Sequence, residues 1–273
     1  MSKKSQHIGY KKCRDERIVM LEIIGDHNEE REDIVDKRFA KMRCSKARVI
    51  RIYNMHDRSI EYEDAFGIYD KSFKYVVGEV VEPVNNFNRD PNKLCAIGIH
   101  YFLKEEPAYF WNYMPKNGLY KSWHPNGQIF VRCTYKNERT NGPHKSWHSN
   151  GQMRYRYTYK NGEIDGLYKE WYDNGQMSVR CTHKNGMLDG SHKSWYSNGQ
   201  KLERCTYKDG ELHGLCKTWH SNGKMKRRCT YKNGKYHGPF VVWRINGQIW
   251  KQHTFRNGKF DGKVGDKWIG AFM

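Results

Sequence analysis

Tryptophan recurs every 24 residues through the second half of the chain, at Trp123, Trp147, Trp171, Trp195, Trp219 and Trp243. Each is followed three residues later by Asn-Gly, from Asn126-Gly127 to Asn246-Gly247. A period this strict means that one small supersecondary unit is repeated along the chain, so the fold is limited to what 24 residues can form. The same interval separates Gly118, Gly142, Gly166, Gly190, Gly214, Gly238 and Gly262, and Thr134, Thr158, Thr182, Thr206, Thr230 and Thr254. A second turn signal falls inside each unit, as in Asn161-Gly162, Asn185-Gly186, Asp209-Gly210, Asn233-Gly234 and Asn257-Gly258, with Glu138 in place of glycine in the first. Two turns per unit leave room for two strands of about seven residues. Asn-Gly between β-prone segments is a strong hairpin signal, because both central residues of a type I′ turn need positive φ.

The expected fold is therefore mainly β. Residues 116–273 form an antiparallel meander of hairpin repeats, six full ones starting near 118, 142, 166, 190, 214 and 238, with a C-terminal cap carrying Trp268, Ile269 and Phe272. At about 4.8 Å per strand, six hairpins make an elongated sheet of about 60 Å.

Charge follows the same division. The residues before Lys116 carry 20 Lys+Arg against 19 Asp+Glu, and those from Lys116 onward 29 against 11, so the second part holds +18 of the net +19. A one-sided positive surface attracts nucleic acid, anionic lipid or acidic protein alike. Aromatic residues make up 14% of the chain, which argues against disorder and for a thin aromatic core.

Centring the hairpin on Asn126-Gly127 sets Tyr120 opposite Cys133, Ser122 opposite Val131 and His124 opposite Ile129, a face of small and apolar groups. The other face sets Trp123 opposite Phe130, and Lys121 with Arg132, Lys145 with Arg156, Lys169 with Arg180, Lys193 with Arg204, and Lys217 with Arg228. Like charges opposite one another destabilise a sheet, so five such pairs imply either solvent screening or an anionic partner that neutralises them. The tryptophans beside this ladder read as core, since large aromatics carry most of the burial in a thin sheet. A basic track with interleaved rings is also how sequence-tolerant single-strand binders are built.

Cys133, Cys181, Cys205 and Cys229 share one repeat position. Equivalent positions lie two strands apart, about 10 Å, too far for a disulfide; Cys216 is the exception, set opposite Cys229. With no export signal after Met1-Ser2-Lys3-Lys4, the eight cysteines are expected as free thiols in an intracellular protein. No CxxC pair is present, and histidine alternates with tyrosine at His144, Tyr168 and His192, so neither metal nor cofactor is expected. No apolar run reaches the length of a transmembrane helix.

The unit from Gly166 to Gly186 resembles the MORN-repeat variant of bacterial antitoxin-like and giant-virus proteins, and the likeness extends from Gly118 to about Asp261. It implies hairpin repeats that serve as interaction scaffolds, with membrane-lipid association and antitoxin roles attached to some members.

Residues 17–115 lack the periodicity and read as a small α+β domain after a tail at 1–16. Strands are expected at Arg17–Ile24, Ala47–Tyr53, Phe73–Val81 and Ile97–Leu103, an amphipathic helix at Glu29–Met42, a second helix near Glu105–Tyr113 and a loop at 83–95. The stretches Tyr75–Glu79 and Cys95–Leu103 resemble an uncharacterised domain preceding repeats in giant-virus proteins of the Marseillevirus and Mimivirus type, which implies a viral protein of host cytoplasm or virion. Cys95 and His100 are a nucleophile and base in type, but no third orienting residue accompanies them. The leading functional expectation is a non-enzymatic scaffold whose basic sheet binds a protein or other acidic partner. Nucleic-acid binding through the Lys/Arg ladder and peripheral attachment to anionic membrane are the alternatives.

Overall fold

The computed structural model describes residues 6–93 and 96–261. Its contacts divide the chain into two units, residues 1–132 with 149–151, and residues 133–148 with 152–273. The division falls inside the first repeat.

In the first unit a four-stranded antiparallel sheet has the order β1 (Ile8–Lys12), β2 (Arg17–Ile23), β4 (Ala47–Asn54), β7 (Val80–Val81). Two ribbons accompany it, β3 (Met42–Cys44) with β8 (Ile99–Tyr101), and β5 (Asp64–Phe66) with β6 (Lys74–Val76), followed by the six-residue helix α1 (Glu105–Phe110). Strand β2 alternates Val19, Leu21 and Ile23 into one buried cluster, with Val49, Ile52 and Tyr101, and Ile18 into another, with Tyr53, Phe102 and Ala108. Both of its faces are therefore covered, as expected for a near-continuous apolar strand.

Three expectations for this region are corrected. The supposed tail contains β1, which pairs with β2 from Ile8 opposite Glu22 to Lys12 opposite Ile18. The stretch read as Phe73–Val81 is split into β6 and β7 by a turn at Gly78, φ +86°. No helix forms over Glu29–Met42. Its amides are spent elsewhere: Val35 and Asp36 donate to the Asn126 carbonyl at 2.9 and 3.2 Å, and Lys41 to that of Pro125 at 3.1 Å. The buried Arg31 guanidinium holds the same segment through the carbonyls of Lys41 and Pro125. Long-range partners thus outcompete the helical bonds that the apolar spacing suggested.

From Gly118 the chain is an antiparallel meander of seventeen strands. A repeat consists of a six-residue strand ending on the tryptophan, such as Gly166–Trp171, an eight-residue strand, such as Met177–Lys184, and a two-residue strand, such as Met187–Leu188. The two turns differ in chemistry. In the Trp-x-x-Asn-Gly turn only the glycine has positive φ, and its amide bonds the carbonyl three residues back, as Gly175 does to Tyr172 at 3.0 Å. This is a type I turn closed by a left-handed glycine, not the expected type I′. The type I′ geometry belongs to the second turn, where Asn161 and Gly162 have φ of 54° and 89°.

The extra turn residue shifts the register. Trp147 faces Met153 and not Arg154, with a bulge beyond Ser146, and Trp171, Trp195, Trp219 and Trp243 repeat the pattern. Below the bulge the expected pairs hold, among them His144 with Tyr157 and Lys145 with Arg156. Recurrent side-chain bonds tie each repeat to the next. Asn174 and Asn198 donate to the carbonyls of Ser197 and Ser221 at 2.8 and 3.0 Å, and Tyr172 and Tyr196 to those of Trp195 and Trp219 at 2.8 and 2.9 Å. His148 and His220 meet the carbonyls of Trp171 and Trp243 through Nε2, so one position accepts either ring. The recurring threonine bonds the carbonyl seven residues on, as Thr182 does to Asp189, whose amide returns a 3.0 Å bond.

Glu138 occupies the glycine position of the first type I′ turn at φ 63°. A side chain in the left-handed region costs about 1 kcal/mol relative to glycine. Glu138→Gly is accordingly expected to raise stability by about that amount, read as a higher midpoint of denaturant unfolding.

The face opposite the charges is filled by Tyr, His and Cys. His144 stacks on Tyr157 and Tyr157 on Tyr168, with ring centroids 4.6 and 5.2 Å apart, and Cys133, Cys181, Cys205, Cys216 and Cys229 are buried. Cys216 faces Cys229, as expected, but its sulfur is bonded to Cys205 of the preceding repeat, with Cα atoms 4.1 Å apart. The pairing between repeats sets Arg204 opposite Lys217, and so brings residues 205 and 216 together. The expectation of free thiols throughout is corrected there. The residues Trp268, Ile269 and Phe272, taken for the C-terminal cap, lie outside the described residues.

Candidate functional site: the basic row of the array

Each lysine of the six-residue strands faces an arginine within its hairpin, as Lys145 with Arg156, Lys169 with Arg180, Lys193 with Arg204 and Lys217 with Arg228. The pairing between hairpins repeats the match, since Arg156 faces Lys169, Arg180 faces Lys193 and Arg204 faces Lys217. The expected ladder of separate pairs is thus one continuous row of eight alternating cations across eight neighbouring strands. At about 4.8 Å per strand the row extends for about 34 Å. It ends at the sixth hairpin, where Arg228 meets Val241 and Val241 meets Gln252.

Among the described residues none of the eight forms an ion pair with a carboxylate. The arginines are exposed and the lysines half-buried. Along the lysine strands, alternation puts two further groups on the same face. Two residues before the lysine stands an exposed apolar group in some repeats, Leu167 at 41% and Leu215 at 39%. Two residues after it stands the tryptophan. Trp123, Trp147, Trp171, Trp195 and Trp219 are half-buried, not enclosed as expected for core, because a single-layered sheet covers a ring on one side only. Lys201 lies 6.0 Å from the Trp219 ring centroid, a weak cation–π contact.

The first pair stands apart. Lys121 is bound to Glu106 of α1 at 2.7 Å, so its charge is already matched, and Arg132 is exposed.

Other chemistry is muted. Cys95 lies outside the described residues, and His100 sits half-buried in β8 opposite Arg43. Burial pushes the Cys133 and Cys181 thiols up to about 11 and Cys44 to about 12, which keeps them protonated and poor nucleophiles at neutral pH. His7, His27 and Glu29 cluster as metal ligands could. The carboxylate of Glu29, however, already takes Tyr101 Oη at 2.6 Å, His7 Nε2 at 2.5 Å and Lys37 Nζ at 3.0 Å.

Residues 116–137, 140–161, 164–185, 188–209 and 212–233 each match the model of the MORN repeat variant. Five tandem units of the array, within residues 116–233, are MORN repeats. Residues 1–108 match a family of unknown function, DUF5758. No curated protein matches the chain. MORN repeats are a non-catalytic module that generally binds protein or membrane. The five matched MORN units are the ones carrying the Lys and Arg positions, while the sixth hairpin, Gly238–Arg256, falls outside the match and lacks both cations. Among the described residues no helix is long and apolar enough to cross a membrane.

Proposed function

We propose that this chain is a non-enzymatic scaffold whose MORN array docks an acidic protein along the row from Lys145 to Arg228. The observation that carries the reading is the row itself: eight adjacent cations that, among the described residues, have no carboxylate partner, on a face that also exposes Leu167 and Leu215. Adjacent like charges cost stability, and an acidic partner offsets that cost. The leucines and the tryptophan edges add the apolar contact that protein interfaces concentrate at their centre. A run of cations alone would suit a phosphate backbone equally well. The resemblance of the stretches Tyr75–Glu79 and Cys95–Leu103 to giant-virus proteins is what supports a viral setting, in host cytoplasm or virion.

The direct test measures binding of the full chain to a labelled acidic polypeptide, to duplex DNA and to phosphatidylserine vesicles across a salt series. The peptide is expected to bind most tightly, with affinity falling as salt rises. Tighter binding of DNA at equal salt, with log affinity linear in log salt, would assign the row to nucleic acid. Binding that depends on the anionic lipid would assign it to membrane.

A further inference from the structure

Three neighbouring strands of the array bring four donor groups together on the face opposite the basic row. His192, in the strand Gly190–Trp195, stands opposite Cys205, in the strand Lys201–Lys208. Cys205 is joined in turn to Cys216, in the strand Gly214–Trp219. Glu203 precedes Cys205 by two residues and so shares its face. A carboxylate oxygen of Glu203 and the sulfurs of Cys205 and Cys216 all lie within 4.8 Å of one another. No CxxC pair announces this cluster in the sequence. The pairing between hairpins that sets Arg204 opposite Lys217 assembles it.

The setting suits a metal ion. Cys205 and Cys216 are buried, and His192 and Glu203 are half-buried beside them. His192 Nδ1 is itself buried, forms no hydrogen bond among the described residues and lies 3.4 Å from Glu203 Oε1. A buried ring nitrogen left without a hydrogen bond is costly, and a coordinated ion removes that cost. Two sulfurs, an imidazole nitrogen and a carboxylate oxygen are the donor types of four-coordinate zinc, which binds them at about 2.0–2.3 Å. Cys229 faces Cys216 from the far side. It stands two strands from Cys205, about 10 Å, too far to share an ion with it.

We propose that His192, Glu203, Cys205 and Cys216 form a zinc site when the Cys205–Cys216 disulfide is reduced. A thiol reductant supplies the two electrons and two protons: the sulfur–sulfur bond breaks, each cysteine becomes a thiol, and the reductant leaves as its own disulfide. Zinc then displaces the two thiol protons to solvent and takes the carboxylate and the neutral imidazole as its other ligands. As disulfide or as zinc site, the cross-link joins the fourth hairpin to the fifth at the position of Arg204 and Lys217. The array thus keeps a staple there in an oxidising and in a reducing medium alike.

The test is titration of the full chain with Co2+, a coloured stand-in for zinc, after reduction with dithiothreitol and its removal under nitrogen. The reduced chain is expected to develop the absorption of a tetrahedral, sulfur-bound cobalt ion, to saturate at one ion per chain and to lose the colour when Zn2+ is added. The chain with its disulfide intact is expected to show no such band. Glu203→Gln and His192→Phe are expected to weaken binding by at least about tenfold each, since loss of even an outer partner of a metal ligand costs about 10–100-fold. Cys205→Ser is expected to abolish the band, and Cys229→Ser to leave it unchanged. No saturable band in the reduced chain would overturn the proposal, as would a band that survives Cys205→Ser or is lost in Cys229→Ser but kept in Glu203→Gln. Should Cys205→Ser fail to fold, alkylation of the unaltered reduced chain decides: Zn2+ is expected to block Cys205 and Cys216 and to leave Cys133 as it was, and equal effects on all three would contradict the site. The array's own partner plays no part in either measurement, so their outcome is independent of the docking proposal.

Discussion

Replacing Lys169, Arg180, Lys193 and Arg204 together by glutamine is expected to weaken binding of the acidic partner by close to a thousandfold and to flatten its salt dependence. Each exposed cation facing an anion contributes up to about 1 kcal/mol, so four contribute up to about 4 kcal/mol. The same change is expected to raise the stability of the array. These four residues occupy consecutive strands and face one another through pairings within and between hairpins. Each like-charged pair removed relieves about 0.2–1 kcal/mol. A gain in unfolding midpoint joined to a loss of binding separates residues kept for recognition from residues kept for folding. A drop in midpoint would show that the row supports the sheet.

The second large effect lies in the N-terminal unit. Arg43 is completely buried, and its guanidinium donates to the carbonyls of Asn88, Asp90 and Lys93 while lying 4.9 Å from the Phe87 ring. One side chain thus fastens the segment 87–93, which has no strand or helix of its own. Arg43→Met keeps the length but removes the guanidinium from three carbonyls, of which that of Asp90 keeps only the 3.3 Å bond from the Lys93 amide, and is expected to cost about 3–5 kcal/mol. That is a large part of the about 5–15 kcal/mol that holds an ordinary domain together. The readouts are the denaturant midpoint and protease cleavage within 87–93. Arg43→Lys is expected to fall between, because an ammonium cannot span three acceptors as the planar fork does.

The parts of this molecule legible in its sequence were those set by local chemistry. The hairpins follow from two turn signals per 24 residues, and the Lys/Arg pairs from counting outward from Asn-Gly. The single-residue shift at the tryptophans was not legible, because Asn-Gly serves a type I turn with a glycine bulge as readily as a type I′ turn. The match of Arg156 with Lys169 depends on an offset at Asp165-Gly166 that no pattern announces, and the union of Cys205 with Cys216 follows from that same offset between later repeats. In the N-terminal unit the spacing of Ile34, Val35 and Phe39 suited a helix, but the carbonyls of Asn126 and Pro125 lie some 90 residues away in the chain and claim its amides.

The central claim is that the row is a docking surface for an acidic protein. Its most direct measurement is capture from a lysate of the source cell, after nuclease digestion, by the full chain and by the Lys169, Arg180, Lys193, Arg204 glutamine variant in parallel. The account predicts at least one acidic protein held by the unaltered chain at low salt, released as salt rises and absent from the variant. The same proteins on both baits, or a bound set that disappears with nuclease, would contradict it.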